Sequence, residues 1–260
     1  MPAYFSRRFP RRVFRKLWKW RWIQPLLVRH WPAVEMKIGS HAWSLGMWNN
    51  FTERRMYMTG KADSIASVSR LTALVAGRRS LVFDIGANIG AFTVPLAACA
   101  GRGSTILAFE PIPELADRCR GNLRLNGLDG AAAVVEVALG REAGEMDLCL
   151  NVRNLGGSSL RPGPAGRSIP VAVRPLLDYL PDDRADYRTF VVKADVEGYE
   201  DEILIPFLSA LPQDRVPDAV MIEATHKGRW REDLCGYLEE RGYEPFFVGE
   251  EGNTLFLKPA

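Results

Sequence analysis

The chain has 260 residues, 47% of them hydrophobic, enough for one sizeable α/β core with a short appendage rather than several domains. Its four cysteines, Cys99, Cys119, Cys149 and Cys235, are scattered without a C-x-x-C pair, which argues against a zinc ribbon or a disulfide framework and favours a reducing compartment. The formal charge of +3 conceals an asymmetry: nine Lys and Arg precede the first acid, Glu35, and the other 25 of the 34 meet 31 Asp and Glu, so the body carries about −6.

Residues 1–35 read as a basic, aromatic arm containing Phe9, Phe14, Trp18, Trp20, Trp22 and Trp31. On a helix, Phe14, Leu17, Trp18 and Trp22 share one side and Arg12, Arg15, Lys16 and Lys19 another, the distribution of an interfacial helix, although Arg21 and Ile23 break the segregation. The leading expectation is peripheral contact of residues 9–31 with the inner face of an anionic membrane. Packing of the arm on the chain's own body, or binding of an acidic polymer or RNA, are the alternatives. No segment reaches the roughly 20 apolar residues of a membrane span, and the N-terminus lacks the apolar run of a signal peptide, so a cytoplasmic protein is expected. The acidic body argues against a nucleic-acid substrate, whose phosphates call for a basic face.

Residues 36–78 read as a lead-in. The stretch 36–60 is irregular, broken by Gly39, Gly46 and Asn49-Asn50, and 62–75 reads as a helix on the spacing of Ile65, Val68, Leu71, Leu74 and Val75. From about residue 79 strands and helices alternate: strand 81–85, helix 91–100, strand 105–109, helix 112–126, strand 133–137. Such alternation predicts βαβ units and a parallel sheet. An insertion at about 140–180 interrupts it, with strands at 146–150 and 169–173 on either side of Asn154-Leu155-Gly156-Gly157-Ser158-Ser159 and a Pro/Gly-rich turn. The alternation resumes with strand 190–194, helix 199–211, strand 219–223 and helix 230–241. Two last strands, 245–248 and 254–257, are joined by a Gly-rich turn suited to a hairpin. The expected architecture is an α/β, Rossmann-like sheet, mostly parallel with a C-terminal antiparallel hairpin, formed by residues 79–260.

The strongest local signal is Leu81-Val82-Phe83-Asp84-Ile85-Gly86-Ala87-Asn88-Ile89-Gly90-Ala91, an apolar strand that ends in an acid and runs through glycines into a helix. Gly86 and Gly90 allow close passage of backbone past a ligand. A dinucleotide fingerprint would need glycine at positions 86, 88 and 91, and two of the three fail, which counts against a pyrophosphate and a nicotinamide oxidoreductase. Asp84 suits a ligand with a cationic amino-acid end and no phosphate, as in S-adenosylmethionine. Glu110, at the tip of the next strand, can accept both ribose hydroxyls, with Asn88 in the loop and Ile112 a candidate to pack on adenine.

The segment Lys193-Ala194-Asp195-Val196-Glu197-Gly198-Tyr199-Glu200 resembles the K-x-D-x-E-G-x-E signature of the FkbM-type methyltransferases. DIGANIGAFT at 84–93, FEP at 109–111, NLRLN at 122–126, Gly157-Ser158-Ser159-Leu160, Leu177-Asp178-Tyr179-Leu180 and VMIEATH at 220–226 follow the same family's order. The resemblance spans about residues 80–225 and implies a seven-stranded methyltransferase fold that methylates hydroxyls of sugars, polyketides or lipid-linked acceptors.

Chemically, Asp195 and Glu197 sit at the carboxyl end of a central strand, where open α/β sheets bind ligands. Transfer to oxygen requires a proton acceptor, and Asp195 and His226, at the ends of adjacent strands, are the candidates, with Glu197 beside them. Lys193 is expected to pair with a neighbouring carboxylate. Asp195, Glu197 and Glu223 could instead assemble a magnesium site, the minority reading. The segment differs from the Asn/Asp-Pro-Pro-aromatic motif of base N-methyltransferases. From another class, the competing reading is a membrane- or nucleic-acid-binding protein whose Rossmann-like body is catalytically silent.

Overall fold

A computed structural model describes residues 33–46, 48–161, 167–249 and 251–259. The membrane-docking expectation for residues 9–31 lies outside the described residues. Among those described, no helix is long and apolar enough to cross a membrane.

The stretch 36–60, irregular by sequence, is ordered. Strands β1 (Val34–Ile38) and β2 (His41–Leu45) form an antiparallel hairpin, and helix α1 (Phe51–Thr59) follows. What read as a break at Asn49-Asn50 is a helix start: the Asn50 side chain accepts a hydrogen bond from the Glu53 amide, and Gly60 closes the other end. A hairpin of five-residue strands and a nine-residue helix are too short for periodicity to reveal.

Helix α2 (Ile65–Val75) then leads into β3 (Ser80–Ile85), α3 (Thr93–Cys99), β4 (Thr105–Phe109), α4 (Pro113–Leu125) and β5 (Ala133–Val135). Strands β6 (Ala138–Leu139), β7 (Gly144–Cys149) and β8 (Ser168–Arg174) form a separate three-stranded sheet in the order β6-β8-β7, at the predicted insertion. The chain returns through β9 (Thr189–Ala194), α5 (Glu200–Ser209), β10 (Ala219–Glu223), α6 (Leu234–Glu240), β11 (Glu244–Val248) and β12 (Asn253–Leu257). Helix α6 starts later than the pattern suggested, because Lys227–Arg229 makes a 3-10 turn and Asp233 caps the helix through the Gly236 amide.

The main sheet has seven strands in the order β11-β12-β10-β9-β3-β4-β5. All neighbours from β10 to β5 are parallel, while β12 runs antiparallel to both β10 and β11. This is the mainly parallel, Rossmann-like sheet with a C-terminal hairpin that the alternation predicts. From β3 the chain moves outward to β4 and β5, whereas β9 pairs on its other side, so the strand order reverses between β3 and β9. Their carboxyl ends are therefore the crevice where an open α/β sheet takes ligands. Both strands are buried along their whole length, and Phe83 meets Phe109 and Phe190 edge to face at 5.9 and 5.2 Å beneath that crevice.

Two asparagines of the NLRLN segment fasten the lead-in to this frame. One turn apart on α4, Asn126 exchanges hydrogen bonds with both backbone groups of Ala42, and Asn122 Oδ1 accepts from the Ser44 amide. Asn122 Nδ2 donates to the carbonyl of Ile89, in the loop after β3. Asn122 is fully buried. Asn122→Ala strands an amide and a carbonyl, so unfolding in denaturant is expected to show a loss of about 1–3 kcal/mol; an unchanged midpoint would mean that this link holds nothing.

Candidate active site

A cavity enclosing about 880 Å³ of empty space, counting its mouth, opens at the carboxyl ends of β3, β4 and β9. The K-x-D-x-E-G-x-E segment builds its floor. Lys193 Nζ lies 3.1 Å from Asp84 Oδ1 in a buried ion pair across β3 and β9, and donates to the carbonyls of Ile85 and Gly86 at 3.2 and 2.9 Å. Burial opposes its charge, but Asp84 and Asp195 hold its ammonium above the ordinary lysine range. Two residues on, Asp195 lines the cavity. Glu200 then pins the turn by accepting the amides of Val196 and Gly198 on one oxygen and the Trp230 indole on the other. Within that turn Glu197 takes a left-handed φ of 59°, a strained conformation for a residue with a side chain.

The cofactor loop is closed on itself. The amides of Gly86 and Ala87 both donate to the Phe109 carbonyl, that of Gly90 donates to Ala87, and that of Asn88 donates to Glu110 Oε2. None of these four N–H groups remains for a phosphate, consistent with a ligand that has none. A Cβ on Gly86 would stand 1.9 Å from the Asp195 carbonyl, so glycine is what lets β3 and β9 end in contact. Glu110 takes the Asn88 and Ile112 amides, one on each oxygen, at 2.9 Å. Burial outweighs those two bonds and pushes its carboxyl up to about 7. Gly86, Asn88, Glu110 and Ile112 all line the cavity, where the sequence put them.

Two residues fall elsewhere. Asp84 does not line the cavity: it is fully buried, faces Lys193, and accepts the Thr93 hydroxyl at 2.6 Å. The reading that set it against a cationic ligand end is corrected, because a strand-end acid beside an inward-facing lysine is drawn to the nearer cation. Gly90 is also off the cavity wall, and a Cβ there would meet Cys119 Sγ at 2.9 Å.

Beside Asp195, His226 Nδ1 lies 3.1 Å from Glu223 Oε2 and 3.3 Å from Glu197 Oε2. These side chains do not line the cavity themselves. Burial, the negative charge of Asp195 and that of Glu223 raise Glu197 to about 7, against the pull of His226. Burial works to lower His226, but the bond to Glu223 and the charge of Glu197 outweigh it, so its pKa is raised. Asp195 is likewise raised, by burial and by Glu223, against the pull of Lys193. Among the described residues, no three His, Cys, Asp or Glu are disposed to hold a metal ion.

Sequence reasoning missed the lead-in's share of the wall. Thr52, Asp63 and Ser64 line the cavity, as do Gly156 and Ser159 of the insertion. Asp63 and Ser64 read as part of a helix, yet Ser64 has φ 46°, ψ 40° at the position before it, and an eye for Ser as a helix cap would have put Asp63 in a loop. Asn50 Nδ2 donates to Asn88 Oδ1 at 2.6 Å, joining this wall to the cofactor loop. The insertion is held by Arg161, which donates to the Gly198 carbonyl and to Asp201 and Glu202.

Removing the cation of the buried Asp84–Lys193 pair should be severe. Lys193→Met is expected to cost about 3–5 kcal/mol of unfolding free energy, and Asp84→Asn added to it should restore part of the loss. A single variant as stable as the wild type would show that the pair is not what joins β3 to β9.

Comparison with known proteins agrees with this geometry. Residues 84–245 match the family described as the methyltransferase FkbM domain. "Methyltransferase 1" of Beauveria bassiana (strain ARSEF 2860) is 30% identical over 144 residues, 48% of this chain, and the chain spans only 57% of that relative. Among solved structures, a methyltransferase FkbM from Methylobacillus flagellatus KT aligns with TM-score 0.47 and 18% identity, over 70% of this chain and 44% of that one. A methyltransferase from Geobacter sulfurreducens aligns with TM-score 0.47 and 12% identity, over 80% and 87%. With the family match covering more than half of its residues, the chain belongs to the FkbM methyltransferase family.

Proposed function

We propose that the cavity binds S-adenosylmethionine and that the protein transfers its methyl group to a hydroxyl oxygen of a small-molecule, glycan or lipid-linked acceptor. The observation that carries this reading is Asp195, a half-buried carboxylate on the wall of the crevice, with Glu197 and His226 3.3 Å apart behind it.

Glu110 accepts the ribose hydroxyls on the lone pairs that its two amide bonds leave free, Ile112 backs the adenine, and Gly86 and Asn88 carry the backbone past the ligand. When bound, S-adenosylmethionine supplies an electrophilic methyl on a positively charged sulfur. Asp195 accepts the acceptor's hydroxyl proton as the oxygen bonds to the methyl carbon and the carbon–sulfur bond breaks. The proton then passes to the Glu197–His226 pair, and the imidazole, whose side chain is 37% exposed, releases it to solvent. Asp84 acts at one remove, by fixing Lys193. The acceptor classes come from the family resemblance, and the acidic body disfavours nucleic acid.

Two measurements test the assignment. Glu110 is protonated below about 7 and must ionise to accept both ribose hydroxyls, so calorimetric affinity for S-adenosylmethionine should rise as the pH rises through that value. Glu110→Gln should bind roughly 10- to 150-fold more weakly, with a flatter profile. Asp195→Asn should keep its affinity for the cofactor within about twofold and lose about 10²- to 10⁴-fold in turnover. A Glu110→Gln protein with wild-type affinity, or an Asp195→Asn protein with near-normal turnover, would overturn the corresponding role.

A further inference from the structure

The charge of the cavity wall restricts what can stand in it. Among the described residues its carboxylates are Asp63, Glu110 and Asp195, and its one cationic side chain is Lys193. That ammonium is already engaged by Asp84 and by the carbonyls of Ile85 and Gly86, and the Gly86, Ala87, Asn88 and Gly90 amides donate to the Phe109 carbonyl, Glu110 and the Ala87 carbonyl. Among the described residues, the floor therefore has no uncommitted cationic side chain for an anion. Glu110 belongs to the cofactor and Asp195 to the reacting hydroxyl, so Asp63 is the acid unaccounted for.

Asp63 is held in place from outside the wall. Its Oδ1 lies 2.9 Å from Arg55 Nε, and Arg55 Nη2 donates to Glu251 Oε1 at 2.8 Å. The backbone carbonyl of Glu251 accepts the hydroxyl of Thr225, the residue before His226. A chain of contacts thus runs from the lead-in to the residue before His226, with two carboxylates to one guanidinium. Asp63, Arg55 and Glu251 all lie outside residues 84–245, the segment matched to the family.

Resting on the methyl-transfer reading above, we propose that Asp63 determines acceptor specificity: it accepts a hydrogen bond from a hydroxyl or ammonium next to the reacting hydroxyl and excludes acceptors with a carboxylate or phosphate there. A vicinal donor satisfies the carboxylate, whereas an anion finds two acids and no uncommitted cationic side chain.

The test uses the full chain saturated with S-adenosylhomocysteine and three pyranoses that differ chiefly in charge: methyl α-glucoside, glucosamine and glucuronate. Binding is followed by saturation-transfer NMR with titration. The wild type is expected to bind the neutral and cationic sugars at least tenfold more tightly than glucuronate. Asp63→Asn should narrow that ratio to within about threefold, and Asp63→Lys should invert it. Affinity for S-adenosylhomocysteine, measured on the same samples, should stay within twofold in both variants and reports that they fold. Equal binding of the three sugars by the wild type, no binding of any, selectivity unchanged in the variants, or a loss of S-adenosylhomocysteine affinity confined to the variants would overturn the role of Asp63. A wild type that does not bind S-adenosylhomocysteine would overturn the cofactor reading and this inference with it.

Discussion

Everything at the crevice depends on one buried cation. Lys193 stands at the point where the strand order reverses, with Asp84 on the neighbouring strand and the carbonyls of Ile85 and Gly86 above it. Both carbonyls lie at the carboxyl end of β3, and that of Ile85 also accepts the Asp195 amide at the end of β9. The ammonium supplies donors to both carbonyls and a countercharge to Asp84, with Lys193, Asp84 and Ile85 all buried. The cofactor loop after β3 and the acid-bearing turn after β9 are thereby held in contact, close enough that Gly86 has no room for a Cβ.

From that anchor the remaining parts of the site follow by short links. Glu200 closes the turn after β9 and so aims Asp195 and Glu197 in different directions, one to the cavity and one to His226. Arg161 reaches from the insertion to the Gly198 carbonyl and to Asp201, so the three-stranded sheet is fixed to the same turn. Asn122 and Asn126 bring in the hairpin, and with it the loop that carries Asp63. The site is therefore assembled from separate stretches of chain that meet through polar side chains, above the apolar core.

The sheet and the floor of the cavity were legible in the sequence because both rest on local signals. Buried parallel strands are continuous apolar runs, and the strands 105–109 and 219–223 appear where those runs fall. Gly86, Asn88, Glu110, Ile112 and Asp195 follow strand ends, whose position the period fixes. The lead-in was not legible, because its elements are short and owe their order to Asn122, Asn126 and the Asn50 cap rather than to their own periodicity. Asp84 was misread for a related reason: the direction of a strand-end carboxylate is decided by its partner on β9, 109 residues away in the chain, and spacing along one strand carries no information about it. Asp63 faces the cavity only because Ser64 departs from helical geometry.

The most direct test is a crystal structure of the full chain with S-adenosylhomocysteine bound. The account predicts both ribose hydroxyls within about 2.6–3.2 Å of the Glu110 carboxylate, the adenine against Ile112, the sulfur turned towards Asp195, and the Lys193 ammonium still on Asp84 and the two carbonyls. A ribose held away from Glu110, or a ligand outside this cavity, would contradict it.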